Sequence, residues 1–191
     1  MSAEDLAKKA QNPVANLISL PLRNNMVFGE GPDDRVRNTL NIQPVWPFEL
    51  NENWNLITRT ILPVISAPAP GMDRTNGIGD LSFTAFFSPV DSGDWTWGVG
   101  PVLLFPTASD EVLGTDRYSA GPSFVALTTP GPWVIGALVS NVWDYAGSSG
   151  GSDVNFFTFQ YFINYNFPSG WYLTSAPINT ANWNAPSGEE W

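Results

Sequence analysis

Apolar and polar side chains alternate along most of the chain after residue 13. In the stretch TLNIQPVWPFEL, residues 39–50, the even positions carry the apolar side chains Leu40, Ile42, Trp46, Phe48 and Leu50. The odd positions carry Asn41, Gln43 and Glu49, together with Val45. Residues 154–167, VNFFTFQYFINYNF, repeat the pattern with the parity reversed. A period of two residues predicts β-strands that have one apolar and one polar face.

The alternation divides the chain into nine strand segments of about 10 to 12 residues, which is longer than the usual strand of a soluble protein. They begin near Val14, Thr39, Trp54, Ile78, Trp95, Tyr118, Trp133, Val154 and Trp171. Before them, the good helix formers in AEDLAKKA, with Ser2 as a capping residue, predict a short helix over residues 2–11. With 191 residues, the chain is expected to be one all-β domain.

The breaks between strand segments are alternately short and long. Each short break is followed at once by a tryptophan, at Trp54, Trp95, Trp133 and Trp171. The long breaks start at residues 29, 66, 106, 144 and 184 and carry most of the acidic residues. Antiparallel strands that run up and down bring all short breaks to one end of the sheet and all long breaks to the other. Aromatic rings therefore collect at one end, and negative charge collects at the other.

Composition removes several classes of function. The formal net charge of −10 disfavours nucleic acid as a partner, because phosphates require a basic surface. With no Cys and no His, thiolate catalysis, imidazole bases and the usual zinc sites are excluded. We therefore expect no enzyme activity, no metal and no cofactor. The chain has no apolar run long enough for a transmembrane helix.

A strand with one greasy and one wet face suits a β-barrel whose outside contacts hydrocarbon and whose lumen is polar. The rings beside the short turns would then form an aromatic girdle at the membrane surface. The girdle residues are Trp46, Trp54, Trp95, Trp133 and Trp171. A soluble β-sandwich gives the same alternation but leaves the one-sided clustering of tryptophan unexplained. A propeller would need four short strands in each repeat of about 40 residues, where this chain has room for two long ones.

The segments AQNPVANLISLPL, LNIQPVWPFELNENWNLITRTILPVIS and GIGDLSFTAFFSP resemble a family of bacterial outer-membrane β-barrel transporters. WGVGPVLLFPTA, GPSFVALTTPGPWVIGALVSNVW and NYNFPSGWYLTSAPINTANW carry the resemblance through the rest of the chain. Members are often labelled neuromedin U and are related to the group named for a meta-pathway of phenol degradation. The resemblance implies an up-and-down antiparallel transmembrane barrel of about twelve strands, completed by strands beyond Trp191.

The resemblance also implies a location in the bacterial outer membrane and passage of small, hydrophobic or aromatic molecules. It supplies no catalytic residue. The expected partners are outer-membrane lipid and a small-molecule solute, and residues 14–191 would form the barrel. Residues 1–13 are expected either to fill the lumen as a plug or to extend as a free tail. A barrel that transports nothing and serves a structural or surface-interaction role is the alternative function.

Six polar residues within the strand segments, or bordering them, are candidates for the lumen. Arg59 is expected to face inward, because an arginine facing lipid at mid-membrane costs about 2 to 4 kcal/mol. Glu49 or Asp80 could pair with it, either to narrow a pore or to stiffen the wall as a structural ion pair. The remaining candidates, which would line a permeation path or bind lumen water, are Gln43, Gln160 and Asn164.

Overall fold

The computed structural model of the chain describes residues 3–30, 34–69, 72–147 and 153–191. One short helix is followed by strands that form a single antiparallel sheet, curled into a half-barrel. The elements are α1 (Ala3–Gln11), β1 (Leu22–Glu30), β2 (Arg35–Ile42), β3 (Val45–Glu49), β4 (Trp54–Ala69), β5 (Met72–Ile78), β6 (Leu81–Pro89), β7 (Trp95–Phe105), β8 (Arg117–Thr128), β9 (Trp133–Gly147), β10 (Asn155–Asn166), β11 (Tyr172–Ser175) and β12 (Ile178–Asn182). The predicted all-β class with a short N-terminal helix is confirmed.

The twelve strands make nine passes across the sheet, because three passes are interrupted. The first half of β4 pairs with β3 and its second half with β2, so β2 and β3 are two parts of one pass. In the same way β5 and β6 share β4, and β11 and β12 share β10. Pro44 and Pro177 lie at two of the interruptions, where they cannot donate to the ladder. Nine passes agree with the nine predicted strand segments.

The helix α1 ends where the sequence predicts, just before Pro13. Lys8 and Lys9 in its last turn suit the negative end of the helix dipole. The side chain of Asn12 then accepts a hydrogen bond from the backbone N–H of Val14 at 2.9 Å, which turns the chain out of the helix. Throughout the described ranges, the helices are too short or too polar to cross a membrane.

The first strand starts later than predicted. Residues 12–21 do not pair as a regular strand, although Ser19 forms an isolated bridge with Val45. Regular pairing begins at Leu22, opposite Ile42. Pro13 and Pro21 flank the irregular stretch, and each lacks the N–H that a ladder would need. The prediction of a strand from Val14 is therefore wrong, and these residues belong with α1 to an N-terminal segment, residues 3–21.

The predicted long break from residue 66 is wrong as well. β4 continues to Ala69, and β5 pairs with it from Met72 onward. Arg74 holds this polar hairpin together, because its guanidinium donates to Oγ of Ser66 at 2.9 Å and to the carbonyl of Ser66 at 2.7 Å. A stretch with two Pro and two Gly in twelve residues thus forms paired strands, held by side-chain hydrogen bonds that composition does not reveal.

The short turns lie at one end of the sheet, as predicted, at residues 50–53, 90–94, 129–132 and 167–171. The turn before β4 shows the local chemistry. Oδ1 of Asn51 accepts hydrogen bonds from the backbone N–H groups of Asn53 at 2.9 Å and Trp54 at 3.0 Å. An asparagine that binds the backbone ahead of it is a common turn device. We refer to the end of the strands where these turns lie as the short-turn end, and to the opposite end, where the long loops lie, as the loop end.

Two faces of the sheet differ sharply in exposure. On the concave inner face, Ile57, Phe86, Val125, Leu127 and Val134 have no exposed surface. On the convex outer face, large apolar side chains lie open in a single layer, with no second layer over β6–β9 among the described residues. They include Trp46, Phe48, Trp54, Phe87, Trp95, Val99, Phe124, Trp133, Ile135, Phe159, Tyr161 and Ile163. The predicted apolar parity in residues 39–50 and 154–167 therefore faces outward.

The inner face is less polar than predicted at the short-turn end. Val45, Ile57, Phe86 and Phe162 form one apolar cluster there together with Val14 from the N-terminal segment. Polar residues occupy the inner face further along the strands. If the whole inner face were in contact with water, these apolar side chains would be exposed. The N-terminal segment covers them, through Val14.

Two facing prolines lie in the middle of the wall. Pro101 on β7 is directly opposite Pro122 on β8, and the pairing of these two strands is continuous through that point. Pairing is interrupted on the far side of each proline, between β6 and β7 and between β8 and β9. The preceding residues Gly100 and Gly121 let the neighbouring backbone come close at these gaps, since an added Cβ on Gly121 would overlap the carbonyl oxygen of Asn141.

Gly121→Ala is expected to destabilise the folded wall by about 1 to 3 kcal/mol, the usual range for overpacking, because the Asn141 carbonyl cannot yield without breaking its own strand. Urea titration of the refolded protein, followed by heat-modifiable gel mobility, measures the change. Gly93→Ala is the matched control: it meets no atom but has a φ of +67°, so it reports conformational strain alone. A Gly121→Ala variant as stable as the parent would contradict the close approach.

Candidate functional site

A cavity of about 520 Å³ opens on the inner face, bounded by the N-terminal segment and by β1, β3, β4, β9, β10 and β11. We refer to it as the inner cavity. Four of the six residues predicted for the lumen line it, although they come from distant parts of the chain: Gln43, Arg59, Gln160 and Asn164. Inward parity on successive strands brings them together. Four of the six predicted residues thus face one cavity.

Arg59 lies on β4 between Val45 of β3 and Thr84 of β6. Its Nη2 donates a hydrogen bond to Oε1 of Gln43 at 3.0 Å. Gln43 is buried and occupies the interruption between β2 and β3, where its backbone N–H donates to the carbonyl of Pro21 at 3.0 Å. The break in the pass thus positions the amide that orients the arginine.

Gln160 and Asn164 lie four residues apart on the inward side of β10, with Phe162 between them on the same face. Oδ1 of Asn164 accepts a hydrogen bond from Oγ1 of Thr174 at 2.5 Å. Nε2 of Gln160 donates to the carbonyl of Ala176 at 3.4 Å, in the interruption between β11 and β12. These bonds hold both amides at the wall of the inner cavity.

Arg23 is a lining residue that the sequence analysis missed. It lies on β1 opposite Asn41 and lines the same cavity as Arg59, so two like charges face one space. The signal was present, because Arg23 and Asn25 have the parity opposite to the apolar Leu22.

Charge in the inner cavity has one sign. Among the described residues that line it, the charged side chains are Arg23 and Arg59, and neither Asp nor Glu is present. This contrasts with the formal net charge of −10 of the chain. The cavity is therefore a cationic region inside an acidic protein, which favours negative solutes.

Glu49 and Asp80 do not line the inner cavity, and within the described ranges neither pairs with Arg59. Glu49 is exposed near the short-turn end. Asp80 accepts hydrogen bonds from the backbone N–H groups of Ala108 at 3.2 Å and Thr115 at 2.7 Å, and from Oγ1 of Thr115 at 2.9 Å. Asp80 thus fixes the loop of residues 106–116. The expected ion pair is replaced by a bond between an arginine and an amide.

The N-terminal segment packs against the inner face, as a plug would, instead of extending away from the sheet. Val14 has 4% of its surface exposed and joins the apolar cluster. Gln11 and Asn166 exchange hydrogen bonds: Nε2 of Gln11 donates to Oδ1 of Asn166 at 2.7 Å, and Nδ2 of Asn166 donates back at 3.3 Å. Asn166 is buried, so its amide depends on these bonds and on the carbonyl of Pro132.

All five tryptophans predicted for the girdle are exposed near the short-turn end. Trp54, Trp95 and Trp133 are the first residues of β4, β7 and β9. Neighbouring rings extend the belt, since the rings of Trp133 and Tyr165 are 4.9 Å apart, and those of Tyr165 and Phe167 are 5.1 Å apart. We refer to these residues as the first aromatic belt.

A second aromatic belt, which was not predicted, lies toward the loop end of the same face. Phe105 and Tyr118 are in edge contact with ring centroids 6.3 Å apart, and Tyr118 lies 6.3 Å from Tyr145. Trp143 is exposed beside them on β9. The signal in the sequence is the position of these rings, since Phe105, Tyr118 and Trp143 border predicted long breaks and Tyr145 lies within one.

Beyond the second belt, charged pairs stabilise the loop end. Nε of Arg37 donates to both carboxylate oxygens of Glu30 at 2.9 Å, and this bond holds the pKa of Glu30 below its usual range. Arg117 lies 3.2 Å from Asp153 and 3.8 Å from Asp144. The acidic residues predicted for the long loops are thus partly paired with arginine.

Comparison of the chain with protein-family models, curated proteins and solved structures found no match.

The docked N-terminal segment can be tested by thiol labelling, because the chain has no cysteine of its own. Val14→Cys should react slowly with a maleimide, since Val14 is buried. Adding Gln11→Ala removes a pair of hydrogen bonds worth about 0.5 to 1.5 kcal/mol each, so the labelling rate should rise roughly tenfold. Ile18→Cys, at an exposed position of the same segment, is the control and should label quickly in both backgrounds. Fast labelling of Val14→Cys without Gln11→Ala would contradict the plug.

Proposed function

We propose that the chain forms the wall of an outer-membrane β-barrel through which small molecules pass without chemical change. The carrying observation is the outer face, where large apolar side chains are open across the middle and aromatic rings border them at both ends. In water such a surface would be costly, at about 25 cal/mol per Å² of apolar area. In a bilayer it meets hydrocarbon, with the rings at the interfaces.

The spacing of the two belts supports the same medium. Trp95 and Phe105 are the first and last residues of β7, and Trp133 and Trp143 are equally far apart on β9. Ten steps of about 3.3 Å give about 33 Å along a strand. For a strand tilted by about 40°, this corresponds to about 25 Å along the membrane normal, the height of the apolar band in outer-membrane barrels.

A soluble β-sandwich is less consistent with the geometry. A sandwich buries the apolar face of one sheet against a second sheet. Here the described strands belong to one sheet, and its buried side is the concave one. Residues 183–191 fold back over part of β10, where Trp183 and Trp191 contact Phe157, but this covers only a corner of the outer face.

Two sheet edges limit what this half-barrel does alone. β1 pairs only with β2, and β11 and β12 pair only with β10, among the described residues. Unpaired N–H and C=O groups are costly in hydrocarbon, so a sealed wall needs a partner strand on each edge. The proposal therefore includes such strands, whichever polypeptide supplies them.

The apolar cluster that Val14 covers on the inner face favours the alternative function, a barrel that transports nothing. The apolar cluster closes the inner face at the short-turn end, and the amide pair of Gln11 and Asn166 holds the segment there. The polar inner cavity favours transport, because it offers charged and amide groups to a solute inside the wall. Conductance separates the two functions.

Phe124→Arg tests the medium on the outer face. Phe124 lies midway along β8 and is 42% exposed. In a bilayer the substitution should lower the free energy of unfolding by about 2 to 4 kcal/mol, whereas Tyr145→Arg at the second belt should lower it by about 0 to 1 kcal/mol. Unfolding of both variants from lipid vesicles is followed by tryptophan fluorescence. In a soluble protein neither substitution would be costly, so equal stabilities would contradict the membrane proposal.

Planar-bilayer recording tests transport. Once strands from further copies of the chain or from another polypeptide pair with both sheet edges, the refolded protein should give discrete current steps. Val14→Asp should then increase the time spent open, because a buried carboxylate weakens the apolar cluster on the inner face. Leu6→Asp on the exposed surface of α1 is the control and should leave the current unchanged. A current no greater than leak in both the parent and Val14→Asp would support the non-transporting barrel.

A further inference from the structure

We infer that the inner cavity binds small organic anions that carry an apolar body, with Arg23 and Arg59 binding the negative group. The inference deepens the proposed function, on which it rests, because the anion would be the solute that passes. It names a chemical class that neither the sequence pattern nor the outer face indicates.

The two arginines provide the charge. Both line the cavity without a carboxylate beside them among the lining residues. Two like charges held at one site repel each other, and a bound anion relieves that repulsion. Arginine also fits carboxylate oxygens with paired hydrogen bonds, which makes it well suited to this group.

Hydrogen-bonding capacity is left over at Arg59. Among the described residues, the Arg59 guanidinium donates a hydrogen bond to Gln43 alone, although a guanidinium has five N–H donors. Asn25 and Tyr172 add polar groups to the lining from the two open edges of the sheet. The anion would therefore replace water as the acceptor for donors already in place.

The rest of the lining selects the body of the solute. Val45, Leu138 and Phe162 bring apolar surface into the same cavity. A site with apolar walls and a few placed polar groups is the usual composition of a small-molecule pocket. A small carboxylate with a ring or short alkyl chain matches both parts, whereas inorganic phosphate matches only the charge.

Titration calorimetry of the detergent-refolded full chain with benzoate at low salt tests the inference. Benzoate should bind, and its neutral isostere benzamide should bind at least about tenfold more weakly, because an uncharged amide lacks the charge-assisted, paired hydrogen bonds that a carboxylate forms with arginine. Inorganic phosphate should also bind more weakly, because it has no apolar body. Equal affinity for benzoate and benzamide would contradict the role of the arginines, and tighter binding of phosphate would contradict the role of the apolar wall.

Variants locate the binding. Arg23→Gln should weaken benzoate binding about fivefold, and its exposed side chain makes misfolding no concern. Arg59→Gln should weaken it at least about tenfold, with gel mobility checking that the variant folds. Arg74→Gln is the matched control, since Arg74 is bonded to Ser66 and to the carbonyl of Val36 and does not line the cavity. Unchanged affinity in both Arg23→Gln and Arg59→Gln would contradict the site.

The failures of the two proposals are distinguishable. Benzoate binding that depends on the arginines, combined with no current in the bilayer, would contradict transport and leave the anion site intact. Current steps in a protein that binds benzoate and benzamide equally would contradict the anion site and leave transport intact.

Discussion

The antiparallel hydrogen-bond ladder is the interaction on which the rest of the structure depends. It satisfies backbone groups within one layer, so the sheet does not need a second layer to supply partners. Its two faces are then free to differ in chemistry. The outer face carries open apolar side chains and rings, while the inner face carries the arginines, the amides and the docked segment. Where the ladder is interrupted, at residues 43–44 and 176–177, side chains and carbonyls become available to shape the cavity.

The inner face carries apolar side chains that must be covered and polar side chains that must be hydrated or hydrogen-bonded. Apolar side chains near the short-turn end cannot face a wet interior without cost, and Val14 covers them. Further along, Arg59 and Gln43 are too polar to be buried by the same means, and the interior opens into a cavity. The same wall therefore contains a closed region and a polar region, and the position of the N-terminal segment decides the boundary between them.

The number of passes across the sheet, the parity of the two faces and the position of the short turns could be predicted. They depend on a local period of two residues, which Trp46 and Phe48, or Phe157 and Phe159, display directly. The start of β1 could not, since Pro13 and Pro21 block pairing in a segment whose alternation looks regular. The hairpin of β4 and β5 was hidden because Arg74 replaces apolar packing with hydrogen bonds. The partner of Arg59 was misjudged for a related reason: Coulomb attraction suggested a carboxylate, while proximity set by the register offered Gln43.

The facing prolines, Pro101 and Pro122, have a mechanical consequence. β7 and β8 are paired without a gap, so these two strands behave as one stiff unit. On each side of these two strands, the pairing with the next strand, β6 or β9, is interrupted at the level of the prolines. Bending of the sheet can therefore concentrate at these two gaps. The paired strands β7 and β8 can then tilt relative to β6 and β9 while their own hydrogen bonds stay intact.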